Sequence, residues 1–77
     1  MVPSIGRIVH VHPNGSFNLL NGVDVASAIV TQVFDYDTLN ATVFVIDEGN
    51  PFMVVYNILP EDKKVPGKPF WSWPPRV

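Results

Sequence analysis

The sequence predicts an all-β protein, on three observations. Thirteen Val and five Ile stand against four Leu and three Ala, a bias toward side chains that pack on a pleated surface. Eight Pro and five Gly are spread along the chain, so that only the stretch from Val23 up to the Gly49–Pro51 turn is long and free of helix breakers. Within that stretch the apolar positions do not recur at helical spacing.

Five strands follow in order. Residues 5–11 (IGRIVHV) form the first, closed by the turn signal Pro13-Asn14-Gly15. A long connection over 12–24 carries a second turn signal, Asn21-Gly22, and its Phe17, Leu19 and Leu20 are positioned to fold back onto a core. Residues 25–34 (VASAIVTQVF) form the second strand, apolar on both faces near its middle, as a central strand should be. A short polar link, Asp35-Tyr36-Asp37-Thr38, precedes the third strand at 39–46, with Leu39, Ala41, Val43 and Val45 pointing one way. Asp47-Glu48-Gly49-Asn50-Pro51 is the clearest hairpin loop in the chain. The fourth strand is 52–58, with Phe52, Val54, Tyr56 and Ile58 on one face. A Pro-rich, basic connection over 59–69, with room for one helical turn at 60–64, leads to a short last strand at 70–73.

Five short strands with a long first loop, a tight third hairpin and a short final strand predict a small five-stranded SH3-like barrel. The alternative five-stranded barrel, the OB-fold, often carries a helix between its third and fourth strands, and the gap here holds only turn residues. The whole of 1–77 is read as one barrel domain with a Pro-rich basic segment over 60–77. A chain of 77 residues buries only about 60–65% of its unfolded surface, so one core serves it all, and small cores without staples often gain stability by oligomerising.

Composition removes several function classes. There is no Cys, which excludes disulfides, thiol catalysis and Cys-ligated zinc. The net charge of −2 argues against a nucleic-acid surface. No apolar run nears the ~18 residues of a membrane span, and the start MVPSIGR does not read as a signal peptide, so the expected setting is the cytosol. None of the nucleotide, hydrolase or zinc-protease motifs occurs, and every pair of acids falls in a turn, where carboxylates are normally solvated. The expectation is a non-enzymatic protein without a cofactor. The N-x-[ST] matches at Asn14 and Asn40 read as turn chemistry and strand propensity.

Charge is segregated. All seven acids lie between residues 24 and 62, and four of the five basic residues lie beyond them, at Lys63, Lys64, Lys68 and Arg76. Either the basic tail packs on the acidic body of its own subunit, or it reaches a neighbouring subunit or an anionic ligand.

Two constellations are candidates for binding. The ending Pro69-Phe70-Trp71-Ser72-Trp73-Pro74-Pro75-Arg76 places Trp71 and Trp73 on one strand face, with Arg76 as a fork for phosphate or carboxylate. The indoles read either as a stacking platform or as core and interface anchors. His10 and His12 share one side of the first strand, two short of the ligands that zinc normally takes, so no metal site is expected.

With these segments in view, the chain resembles a family of small proteins encoded by bacteriophages and prophages. The likeness is carried by Gly6-Arg7-Ile8-Val9-His10, Ala28-Ile29-Val30-Thr31, Thr42-Val43-Phe44, Asn50-Pro51-Phe52 and the ending Trp71-Ser72-Trp73-Pro74-Pro75-Arg76. The chain departs from it in its acidic middle and at Val11, where the resemblance implies a Tyr. The resemblance implies viral origin and action in the bacterial host cytoplasm, and no established activity. Three functions follow as expectations. The first is capture of a host nucleotide or other anionic small molecule as an anti-defence sponge, at Arg7, His10, His12, Trp71, Trp73 and Arg76. The others are a virion decoration or tail-associated component, and an inhibitor that binds a host protein through a sheet edge or the Pro-rich tail. A homo-oligomer is expected, with the tail of one subunit on the acidic surface of another.

Overall fold

A computed structural model describes residues 3–17, 19, 24–47 and 50–75. Its strands are β1 (Ile8–His12), β2 (Ala26–Phe34), β3 (Thr38–Asp47), β4 (Asn50–Pro60) and β5 (Phe70–Ser72), with one 3-10 turn at Glu61–Lys63. They close into a barrel in the order β1-β2-β3-β4-β5. Neighbours from β1 to β4 are antiparallel, and β4 meets β5 in a short parallel contact, Leu59 opposite Phe70 and Pro60 opposite Trp71. The circuit closes where β5 runs antiparallel to β1, with His10 opposite Ser72 and Val11 opposite Trp71. This is the all-β, five-stranded SH3-like barrel that the sequence predicts. The 3-10 turn falls within 60–64, as its composition suggests.

Alternation fills the interior. Val9 and Val11 from β1, Ala28 and Val30 from β2, Leu39, Ala41 and Val43 from β3, and Ile58 from β4 are fully or almost fully buried. Ala28 pairs with Val43 and Val30 with Ala41, so small side chains face larger ones where so narrow a barrel has least room. Phe17 and Leu19 pack on this core from the long first connection, as expected; Leu20 and the Asn21-Gly22 signal lie outside the described residues.

Three local readings are corrected. The first strand begins at Ile8 rather than Ile5, because Gly6 adopts φ +90° and turns the chain. Pairing still continues across that turn: the Gly6 N–H donates to the Val30 carbonyl at 2.8 Å, and the Val30 N–H to the Arg7 carbonyl at 2.9 Å. The second correction is in β4, where Phe52, Val54 and Tyr56 share the outer face but Ile58 does not. Asn57 sits at φ +56°, the register slips between Ala41↔Val55 and Leu39↔Ile58, and the slip turns Ile58 inward. The third is the hairpin loop read at 47–51: β3 runs through Asp47 and β4 starts at Asn50, so Asp47, Asn50 and Pro51 belong to the strands. On β3, Asn40 is buried as well as the apolar face. Its amide donates to Gln32 Oε1 at 2.7 Å and its side-chain oxygen accepts the Asn57 N–H at 2.9 Å, so the bulge has a built-in partner. Val45 has its side chain outside the described set, and Glu48 and Gly49 of the hairpin loop lie outside it altogether.

The Pro13-Asn14-Gly15 turn does more than reverse the chain. Asn14 and Gly15 both take positive φ, and the Asn14 amide donates to the carbonyls of Val65 and Lys68, each at 3.1 Å. The basic connection is thereby tied to the far end of β1. Lys63 Nζ pairs with Asp37 Oδ2 at 2.8 Å within the same chain, so part of the segregated charge is matched internally.

Candidate functional site

β5 positions the site. The strand buries Phe70 and Trp71, 8% and 4% exposed, while Ser72 and the following Trp73 stay half-buried. The Trp71 indole N–H donates to the Asp37 carbonyl at 2.7 Å, locking β5 to the turn between β2 and β3. Trp73 meets Trp71 edge to face with centroids 5.3 Å apart, and the Arg7 guanidinium lies 5.5 Å from the Trp73 ring centre.

A cleft of about 450 Å³ opens beside these indoles. It is lined by Trp71, Ser72 and Trp73 from β5 and the residue after it, by Tyr36 and Asp37 from the β2–β3 turn, by Pro60, Glu61 and Asp62 where β4 runs into the 3-10 turn, and by Pro3. Tyr36, Trp71 and Trp73, two prolines and three acidic residues therefore line a single cleft, and among the described residues no Lys or Arg lines it. Of the three acids, Asp37 is already paired with Lys63 Nζ at 2.8 Å, and this hydrogen bond pushes the Lys63 pKa up.

Tyr36 is presented to the cleft at a conformational cost. Asp35 and Tyr36 both sit at positive φ, +47° and +72°, in a turn without glycine. Left-handed backbone at a bulky residue is uncommon, and it clusters where a side chain must be aimed.

The histidines take different positions. His12 stacks on Phe70 with centroids 4.4 Å apart, and its Nε2 lies 2.9 Å from Ser72 Oγ. It therefore backs the Ser72 wall of the cleft without lining it. Its pKa is lowered, chiefly because burial disfavours the imidazolium, against opposing attraction from Glu61 and Asp24. His10 lies on β1 opposite Ser72 and also stays outside the cleft. Among the described residues no three His, Asp or Glu side chains converge as metal ligands.

Of the candidate residues, the fold brings Arg7, Trp71 and Trp73 together, places His12 behind them, and leaves His10 aside. Arg76 lies outside the described residues. The sequence reading missed Tyr36, Asp37, Glu61 and Asp62. Turn acids look solvated in a linear chain, and only the closure of β5 onto β1 and the edge of β4 gathers the two turns around one cleft. No family profile, curated protein or solved structure matches this chain.

Proposed function

We propose that the protein is a non-catalytic binding module whose cleft captures an extended, proline-rich segment carrying positive charge. The observation that carries this reading is the lining itself: Tyr36, Trp71 and Trp73 beside Asp37, Glu61 and Asp62, with no cation lining the cleft among the described residues. Aromatic walls accept the flat faces of proline rings in a polyproline helix, whose ordering entropy is already low. Carboxylates at the mouth select Arg or Lys on the same segment and repel phosphate. Five-stranded barrels host many functions, so the reading rests on this cleft rather than on the fold.

A second reading keeps the anion expected from the sequence. Arg7 over Trp73 is one cation beside one stacking face, the pair that a nucleotide needs at the rim. The two readings differ in the sign of the ligand, and one titration separates them. The probes are a synthetic nine-residue peptide of Pro-Pro-Arg repeats, its Pro-Pro-Glu counterpart, and a set of cyclic and ADP-ribose-type nucleotides, followed by tryptophan fluorescence. Saturable binding of the arginine peptide alone is expected. Glu61→Gln and Asp62→Asn should each weaken it about two- to fivefold, the scale of a partly exposed charge pair. Failure of the arginine peptide to bind removes the proposal. Nucleotide binding that Arg7→Ala weakens establishes the second reading in its place.

A further inference from the structure

We infer that the outer face of β2, β3 and β4 is a self-association surface, docked by a second copy of this chain about a two-fold axis. The starting point is a charge count. β2 and β4 contain no charged residue, and β3 has one only at its last position, Asp47. Its outward positions include the large apolar Ile29, Phe44, Phe52, Val54 and Tyr56, interspersed with the uncharged Ser27, Thr31 and Thr42, where a solvated face normally turns mostly polar. Ile29 pairs with Thr42, Thr42 with Val54, and Phe44 with Phe52, which sets these side chains in adjoining cross-strand rows. Phe52 is 60% exposed, Tyr56 65%, Val54 44% and Ile29 38%. The β4 bulge at Asn57 ends the patch by turning the next apolar side chain, Ile58, inward.

Charge and area identify the occupant. Each copy carries a net charge of −2, with its acids outside β2 and β4, so two copies repel in most orientations. The neutral face is where a like-charged copy can approach without burying a charge, and an isologous contact brings the same apolar patch to both sides. A partner with a charged face would instead desolvate its charge against Phe52 and Val54. These side chains expose about 500 Å² on each copy, so pairing removes about 1,000 Å² before any rim is counted, the lower bound for a specific interface. The patch shares no residue with the cleft, and the inference stands whether or not the cleft binds peptide.

Light scattering and native mass spectrometry on the full chain test it. At roughly 100 µM a dimer of micromolar affinity is almost fully formed. The expected mass is then twice 8.6 kDa. Val54→Asp and Tyr56→Asp, made separately, should each return the protein to the single-chain mass with an unchanged circular dichroism spectrum. Val65→Asp, 41% exposed on the connection between the 3-10 turn and β5, should leave the dimer intact. A wild-type mass of one chain overturns the inference. So does an oligomer that survives either folded variant, which would move the contact elsewhere, the basic tail included.

Discussion

His12 shows how much one side chain can couple. Its ring is stacked on Phe70, its Nε2 meets Ser72, and burial holds its pKa below the ordinary 6.5. The folded chain therefore binds this proton less readily than the unfolded chain does, and stability rises with pH across the interval between the two values. The contribution is fully present above 6.5 and is lost as the pH falls below it toward the folded value. Urea midpoints should accordingly drop between about pH 7.5 and about pH 5.5, above the range where carboxylates dominate. His12→Gln, which keeps a donor for Ser72, should flatten that slope. An equal slope in the variant would assign the titration to another group. Glu61 and Asp24 oppose the shift, so removing either acid should steepen the dependence. Nothing in the sequence forecasts this. His10 and His12 look equivalent in an H-x-H pair, yet in the fold it is His12 that stacks on Phe70 and meets the Ser72 hydroxyl.

At the scale of elements, the β2–β3 turn trades stability for aim. Tyr36 holds φ +72° with 79% of its surface exposed, so its ring contributes little packing to offset the strain. Tyr36→Gly should stabilise the fold by about 0.5–1 kcal/mol, measured by urea unfolding, because glycine adopts that backbone freely. The same change should weaken capture of the arginine peptide by about five- to tenfold, since one aromatic wall is gone. Loss of stability would show that Tyr36 has a packing role instead. The strands themselves were largely legible. Val-rich alternation marks β2, β3 and β4 to within about two residues, because a half-buried pleat imposes period two on its side chains. What alternation cannot show is a slip. Asn40 and Asn57 read as ordinary polar residues, yet their mutual hydrogen bond fixes the bulge that separates Tyr56 from Ile58. The charged turns were legible as turns and illegible as a site, because Asp37 and Glu61 meet at one cleft only once Trp71 closes on the Asp37 carbonyl, across a sequence separation of 34.

For the whole molecule, Trp71 is the closing piece. It is buried, edge-packed against Trp73 and hydrogen-bonded to the Asp37 carbonyl, and it sits on a strand of only three residues. Trp71→Ala should cost about 3–5 kcal/mol, comparable to the entire stability of a small unstapled domain. Its thermal melt should lose cooperativity. Trp71→Phe keeps much of the apolar volume but leaves the Asp37 carbonyl without its donor, and should cost about 1–3 kcal/mol. A cooperative melt in the alanine variant, close to wild type, would mean that β1 to β4 are stable without this clasp.

The meeting of β1 with β5 also sets when the cleft comes into being. His10 pairs with Ser72 across nearly the full length of the chain, and the cleft is walled by residues as far apart as Pro3 and Trp73. Contacts of such sequence separation carry a high loop-closure cost and form late, on the slower side of small-domain folding. No partly folded chain that lacks the last strand contains the cleft. A ligand held there therefore discriminates between the closed barrel and every open form, and raises the free energy of global opening by RT ln(1 + [L]/Kd) without slowing the fraying of the outer turns. Amide exchange deep in β1 and β5 becomes the readout of occupancy, and binding acts as a ratchet on the final step of folding.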